Sequence, residues 1–177
     1  AERNEQSAIE GKDGWTFFTS ELRAMTVGPF WGEHAKNVSR AGNPNYADPL
    51  EPIVDFHQQL KNAGIELFVV PVPAKAAIRP DKLPGEFRPS DSRLDVNHRQ
   101  FYELLEDRGV QLIDLLPMLA KNSKDRLTYC KTDTHWSGDA AKLTAQLLAE
   151  KIKTRDWLAA VPKKIFRSET RQIDIVG

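Results

Sequence analysis

"GIELFVVPVPAK", residues 64–75, opens on a glycine, continues as an almost uniformly apolar run and breaks on two prolines. A short run this rich in β-branched residues reads as a strand buried on both faces of a sheet. "GVQLIDLLP", residues 109–117, repeats the order of glycine, apolar run and proline. Each glycine follows a segment whose apolar residues keep helical spacing. Before Gly64 these are Ile53, Val54, Phe56 and Leu60, behind the start signal Asp48-Pro49. Before Gly109 they are Leu94, Phe101, Leu104 and Leu105, in a helix predicted over 91–107. Helix, glycine, strand, taken twice, predicts parallel strands covered by helices, the α/β class.

The pattern extends in both directions. "LTYCKTD", residues 127–133, is a third strand candidate, and Ser137 suits the N-cap of a helix with Leu143, Leu147, Leu148 and Ile152 inward. Asp139 in its first turn complements the helix dipole. Near the start, the turn signal Lys12-Asp13-Gly14 precedes Trp15, Phe17 and Phe18 and predicts a short strand or hairpin. Residues 28–49, with three Gly and three Pro, form a loop-rich connection. One domain is expected over residues 1–177.

Composition narrows the function classes. Hydrophobic residues make up 40% and charged residues 28% of the 177, values of a globular chain. Twenty-five basic side chains balance 25 acidic ones, which leaves no electrostatic footprint for nucleic acid. Lys163, Lys164 and Arg167 alternate with apolar residues and read as a solvated face. The longest apolar stretch, residues 65–78, is interrupted by Pro71, Pro73 and Lys75, so it cannot span a bilayer. A single cysteine, Cys130, excludes an internal disulfide.

Ligands of parallel sheets sit outside the carboxyl ends of the strands. "PVPAK", "DLLP" and "KTDTHW" fall there, and the last concentrates the reactive side chains. A nucleophile needs a His to take its proton and a carboxylate to hold the imidazole's tautomer, roles open to His135 and Asp133. An isolated Asp-x-His is more often a capped turn. It also opens the metallophosphoesterase pattern. That pattern needs Gly-Asp-x-x-Asp and Asn-His downstream, and neither follows His135, so no metal is expected. His34, His57 and His98 show no zinc spacing with one another or with Cys130. Cys130, within the strand candidate, reads as a small buried hydrophobe. Lys75 is placed at the mouth of the sheet, against an anionic substrate or simply in solvent. Trp136 is either a sugar-stacking platform or a packing anchor.

"GKDGWTFF", "FWG", "ADPL", "IELFVVPVPAKAAIRPDKL" and above all "TDTHWS" occur in this order. Together, from about Gly11 to Lys151, they resemble the alginate O-acetyltransferase-like family of periplasmic SGNH-type proteins. The resemblance implies a flavodoxin-like α/β/α fold with a mainly parallel sheet, of which this chain holds part, and a Ser-His-Asp triad without cofactor. Asp133 matches the triad Asp and His135 the triad His. The family's nucleophile lies downstream of this pair in a Gly-Asp-Ser motif, which no part of the 177 residues contains. "SDS" at residues 90–92 lies upstream and lacks the glycine, so Ser92 is a poor substitute.

The expectation is the N-terminal portion of a longer exopolysaccharide O-acetyltransferase, inactive by itself. The expected location is the periplasm, either free or anchored to the inner membrane by a segment outside this chain. A membrane-bound acyltransferase partner supplies the acetyl group. The alternatives are a noncatalytic polysaccharide-binding or assembly protein and a carbohydrate acetylesterase.

Overall fold

Residues 7–85, 93–169 and 171 are described by a computed structural model. Residues 91–92 of the predicted helix and the "SDS" string lie outside the described residues, and residues 93–95, Leu94 among them, precede the helix, which begins only at Val96.

The chain begins as the predicted hairpin. β1 (Ala8–Glu10) pairs antiparallel with β2 (Thr16–Phe18), in the register Ala8↔Phe18, Ile9↔Phe17 and Glu10↔Thr16. Trp15 and Phe17 turn inward and are buried, while Phe18 faces out. α1 (Thr19–Thr26) follows directly, and the short α2 (Ala35–Val38) lies in the loop-rich stretch.

α3 (Leu50–Asn62) starts where Asp48-Pro49 predicts. Asp48 accepts the Leu50 N–H on Oδ1 at 2.9 Å and the Gly32 N–H on Oδ2 at 2.8 Å. One carboxylate therefore caps the helix and ties the preceding loop to it. α3 and α5 (Val96–Asp107) end by the same device. Gly64 (φ 73°) and Gly109 (φ 82°) are left-handed, and Ile65 and Val110 donate back to Leu60 and Leu105 at 2.9 and 3.0 Å. This Schellman geometry reverses the chain and sends it into β3 (Phe68–Val69) and β4 (Gln111–Leu112). The two strands pair in parallel, Phe68↔Gln111 and Val69↔Leu112, with α5 in the crossover.

The core sits on this unit. Leu50, Phe101, Tyr102, Leu105 and Val110 are buried together, with Ile53, Val54, Val69, Leu104 and Leu112 packed around them. Phe30 and Trp31, from the loop-rich stretch, close it. Their ring centroids lie 4.8 and 5.7 Å from that of Phe101.

α4 (Lys75–Ile78) leaves the carboxyl end of β3. α6 (Leu116–Asn122) leaves that of β4, where Asp114 Oδ1 accepts the Leu116 N–H at 3.0 Å. α7 (Gly138–Ile152) begins at the predicted cap, with the Ala140 N–H 3.2 Å from Ser137 Oγ. Ala140 and Thr144 are its buried positions, and Leu143, Leu147, Leu148 and Ile152 are half-buried. The chain divides into two compact units, Ala1–Thr144 and Ala145–Gly177. The second contains the end of α7 and α8 (Asp156–Ala159), and its Lys163, Lys164 and Arg167 are exposed as predicted.

Three expectations are corrected. "LTYCKTD" is not a third strand: among the described residues it makes one antiparallel bridge, Tyr129↔Trp136. The chain turns back on itself within the polar residues 131–135, which leaves no length for a ladder. The first apolar run is half-buried at Phe68 and Val69 and not covered on both faces, with Ile65 54% exposed. Phe56, predicted inward on α3, is 53% exposed.

Candidate active site

The turn at 128–137 is built from its ends inward. Ser137 N–H donates to Thr128 O at 3.0 Å and Cys130 N–H to His135 O at 3.2 Å, which brings the two limbs together. At the tip, Asp133 Oδ1 accepts the His135 N–H at 2.9 Å and stands 2.5 Å from His135 Nδ1. Asp133 is 57% and His135 79% exposed at the side chain. The carboxyl of Asp133 is held below its ordinary range, first by the His135 N–H, then by the His135 ring, with a further contribution from Lys75. An ionised carboxylate there favours the tautomer with the proton on Nδ1 and leaves the Nε2 lone pair open.

The turn is anchored at the carboxyl end of β3. The Tyr129 hydroxyl donates to Pro73 O, and Lys75 Nζ donates to Lys131 O at 3.1 Å and to Thr16 O at 2.8 Å. Thr16 N–H also donates to Lys131 O, at 2.9 Å. The Asp-Thr-His tip thus stands beside the end of a parallel strand, although its own segment is not one.

Lys75 is corrected. It neither lines an open mouth nor lies in solvent: it is 1% exposed, and Trp15 and Phe17 place their ring centroids 5.8 Å from Nζ. Burial pulls its pKa down, opposed by the charges of Glu21, Cys130 and Asp133. Burial pushes the Glu21 carboxyl up, against a hydrogen bond from the Lys75 backbone N–H and the charge of Lys75. Trp136 is half-buried, with its backbone bridged to Tyr129. Cys130 is half-buried and free of disulfide. Ser92 lies outside the described residues.

The sequence gives no signal for Thr16, Glu21 or Tyr129 as supports of the site. It marks "DLLP" but not the cluster built there. Arg93 grips Asp95 through Nε and Nη2 at 2.9 and 2.7 Å and reaches Asp114 through Nη1. Two clefts lie nearby. One of about 320 Å³ is lined by Arg23, Val27, Phe30 and His98. One of about 140 Å³ is lined by Glu21, Pro73, Asp95 and Tyr102. Neither includes Asp133 or His135. Among the described residues no group of three or more His, Cys, Asp or Glu side chains is placed to hold a metal, and no helix is long and apolar enough to cross a membrane.

Residues 8–174 match the family described as "SGNH hydrolase-like domain, acetyltransferase AlgX". The chain is 27% identical over 156 residues to "Probable alginate O-acetylase AlgJ" of Pseudomonas syringae pv. tomato, covering 88% of this chain and 36% of that protein. It spans about a third of the length of such curated relatives. Among solved structures it is similar to the O-acetyltransferase domain of Pseudomonas putida AlgJ, with TM-score 0.59 and 23% identity over 89% of this chain and 50% of that one. Pseudomonas aeruginosa AlgX gives TM-score 0.62 and 21% identity over 89% of this chain and 34% of that one. The fold is therefore SGNH-hydrolase-like α/β, and the chain belongs to the SGNH hydrolase-like domain family of the acetyltransferase AlgX, the alginate O-acetyltransferase-like family.

Proposed function

We propose that this chain is part of an O-acetyltransferase acting on a bacterial exopolysaccharide of the alginate kind. The observation that carries the proposal is the exposed pair at the turn, with His135 Nδ1 2.5 Å from Asp133 Oδ1. Such a pair is the base and its orienting carboxylate in a triad.

The chemistry is ping-pong acyl transfer. A serine hydroxyl, from a Gly-Asp-Ser motif outside these 177 residues, loses its proton to His135 Nε2 and attacks the carbonyl of an acetyl donor. The imidazolium then protonates the departing group, leaving an acetyl-serine. A sugar hydroxyl next gives its proton to His135 and attacks that ester. The serine oxygen leaves, recovers the proton from His135, and the sugar carries the acetyl group. Asp133 keeps the imidazole in the tautomer that both halves use and offsets its transient charge. Trp136 is proposed as a stacking surface for a sugar ring. No metal or cofactor takes part in these steps. The proposed setting is the periplasm, with the acetyl group delivered through a membrane-bound acyltransferase.

The test is an assay of the full-length protein with an activated acetyl ester and an alginate oligosaccharide acceptor, beside His135→Ala. Acetylated oligosaccharide that disappears with His135→Ala supports the proposal. Acetate release without transfer makes the protein an acetylesterase. Binding of the polymer without either product makes it a binding or assembly protein.

A further inference from the structure

Lys75 carries an ammonium in a place where an apolar side chain would fill the same space at lower desolvation cost. What the ammonium adds is direction. Its Nζ donates to Thr16 O at 2.8 Å, on β2, and to Lys131 O at 3.1 Å, at the foot of the 131–135 tip. Lys131 lies two residues before Asp133, and its carbonyl also takes the Thr16 N–H at 2.9 Å. The same limb is also fixed by the Tyr129 hydroxyl on Pro73 O, two residues before Lys75. Glu21, Cys130 and Asp133 are the charged or ionisable groups whose fields reach Nζ, and Trp15 and Phe17 wall it from water. The three segments carrying Thr16, Lys75 and Lys131 meet on one buried cation.

We infer that Lys75 is a positioning residue for the Asp133–His135 pair: its buried ammonium holds the Lys131 carbonyl and thereby fixes the loop that presents the imidazole. The inference rests on the acyl-transfer role proposed for that pair. Lys75 touches neither substrate nor reacting atoms. It acts through the backbone, and its charge secondarily favours the ionised Asp133. Misplacing a catalytic group by about 1 Å costs on the order of a hundredfold in rate, so a loop anchor of this kind is kinetically visible.

The experiment is ¹⁵N NMR of the His135 ring in the 177-residue chain, wild type against Lys75→Met, which keeps the length of the side chain and removes the charge and donors. The wild type is expected to show protonated Nδ1 and unprotonated Nε2. Lys75→Met is expected to move both nitrogens toward the averaged values of a free imidazole while far-ultraviolet dichroism is unchanged. In the full-length enzyme the same substitution is expected to lower kcat by about a hundredfold with little change in KM. If Lys75→Met does not fold, Lys75→Gln, which retains a neutral donor, is measured in its place. Ring signals identical to wild type in a folded variant overturn the role of Lys75. An enzyme whose acetyl transfer ignores His135→Ala overturns instead the acyl-transfer role of the pair, and with it the catalytic meaning of the anchor.

Discussion

Asp133 Oδ1 meets both the backbone N–H and the ring Nδ1 of His135, at 2.9 and 2.5 Å. The first contact alone is an ordinary Asx turn. The second orients an imidazole that is otherwise in solvent, and the two share one oxygen, so the turn and the orientation cannot be separated.

From that sharing follows the first expected outcome. In the full-length protein, His135→Ala removes the proposed base and is expected to lower kcat by roughly ten-thousandfold or more. Asp133→Asn keeps an oxygen for the backbone N–H but presents an amide that can also donate to the ring and select the wrong tautomer. Its loss is expected to approach the same size, with circular dichroism unchanged. The 177-residue chain, which contains no Gly-Asp-Ser, is expected to show negligible turnover of a small activated acetyl ester. Clear, His135-dependent turnover by the chain alone sinks this assignment and would make Ser92 or Cys130 the nucleophile to test next.

The parts of the fold legible in the sequence are those with local causes. Gly64 and Gly109 announce left-handed helix ends, Asp48 and Ser137 announce caps, and Asp133 reaches His135 across a two-residue spacing. What escaped depends on distant segments. Thr128, Tyr129 and Cys130 have the β-prone composition of a strand. The Tyr129 hydroxyl nevertheless binds Pro73 O, 56 positions away, and the chain turns back at once. Lys75 looked like a surface lysine because nothing local shows that Thr16 and Lys131 converge on it. Phe56 keeps helical spacing, but spacing defines a stripe and not how far the neighbouring elements wrap around it.

Gly109 offers a test of the helix-to-strand device. At φ 82° an added Cβ lies close to the following carbonyl, although no other part of the chain crowds it. Gly109→Ala is expected to cost about 1–2 kcal/mol in urea denaturation, the usual penalty of a left-handed non-glycine residue. A neutral result would mean that the Schellman end relaxes without strain.

The Arg93 cluster is expected to matter more. Asp95 is 5% exposed, and its carboxylate is held by both ends of one guanidinium. Arg93→Met strands that charge. Breaking a buried pair costs about 3–5 kcal/mol, and the 27% exposure of Arg93 puts the expected loss near the lower figure. Adding Asp95→Leu is expected to restore part of it, because it removes the more deeply buried of the two carboxylates that Arg93 holds, while Asp114, 16% exposed, stays without its partner. If the double variant is as unstable as the sum of the two singles, the ion pair is not the cause.

Tyr129 provides the pH dependence. It is 1% exposed, and burial first, then the charge of Glu21, pushes its hydroxyl above the ordinary phenol value of 10.0. The folded state therefore keeps the proton that the donor to Pro73 O requires. Below pH 10 both states are protonated and the contribution is complete. As pH rises further, the unfolded chain loses its proton while the folded chain does not, so stability declines. Tyr102, pushed up to about 12 by burial, adds to the same decline. Tyr129→Phe removes one of these two slopes. At pH 8 the variant is expected to be less stable by about 1–2 kcal/mol, the cost of leaving a buried carbonyl without its donor. Between pH 10 and 11.5 that gap should narrow, since only the wild type pays to keep the Tyr129 proton. Urea denaturation of both proteins across that range measures the gap, and a constant difference would show that the Tyr129 hydroxyl titrates alike in the folded and unfolded chains.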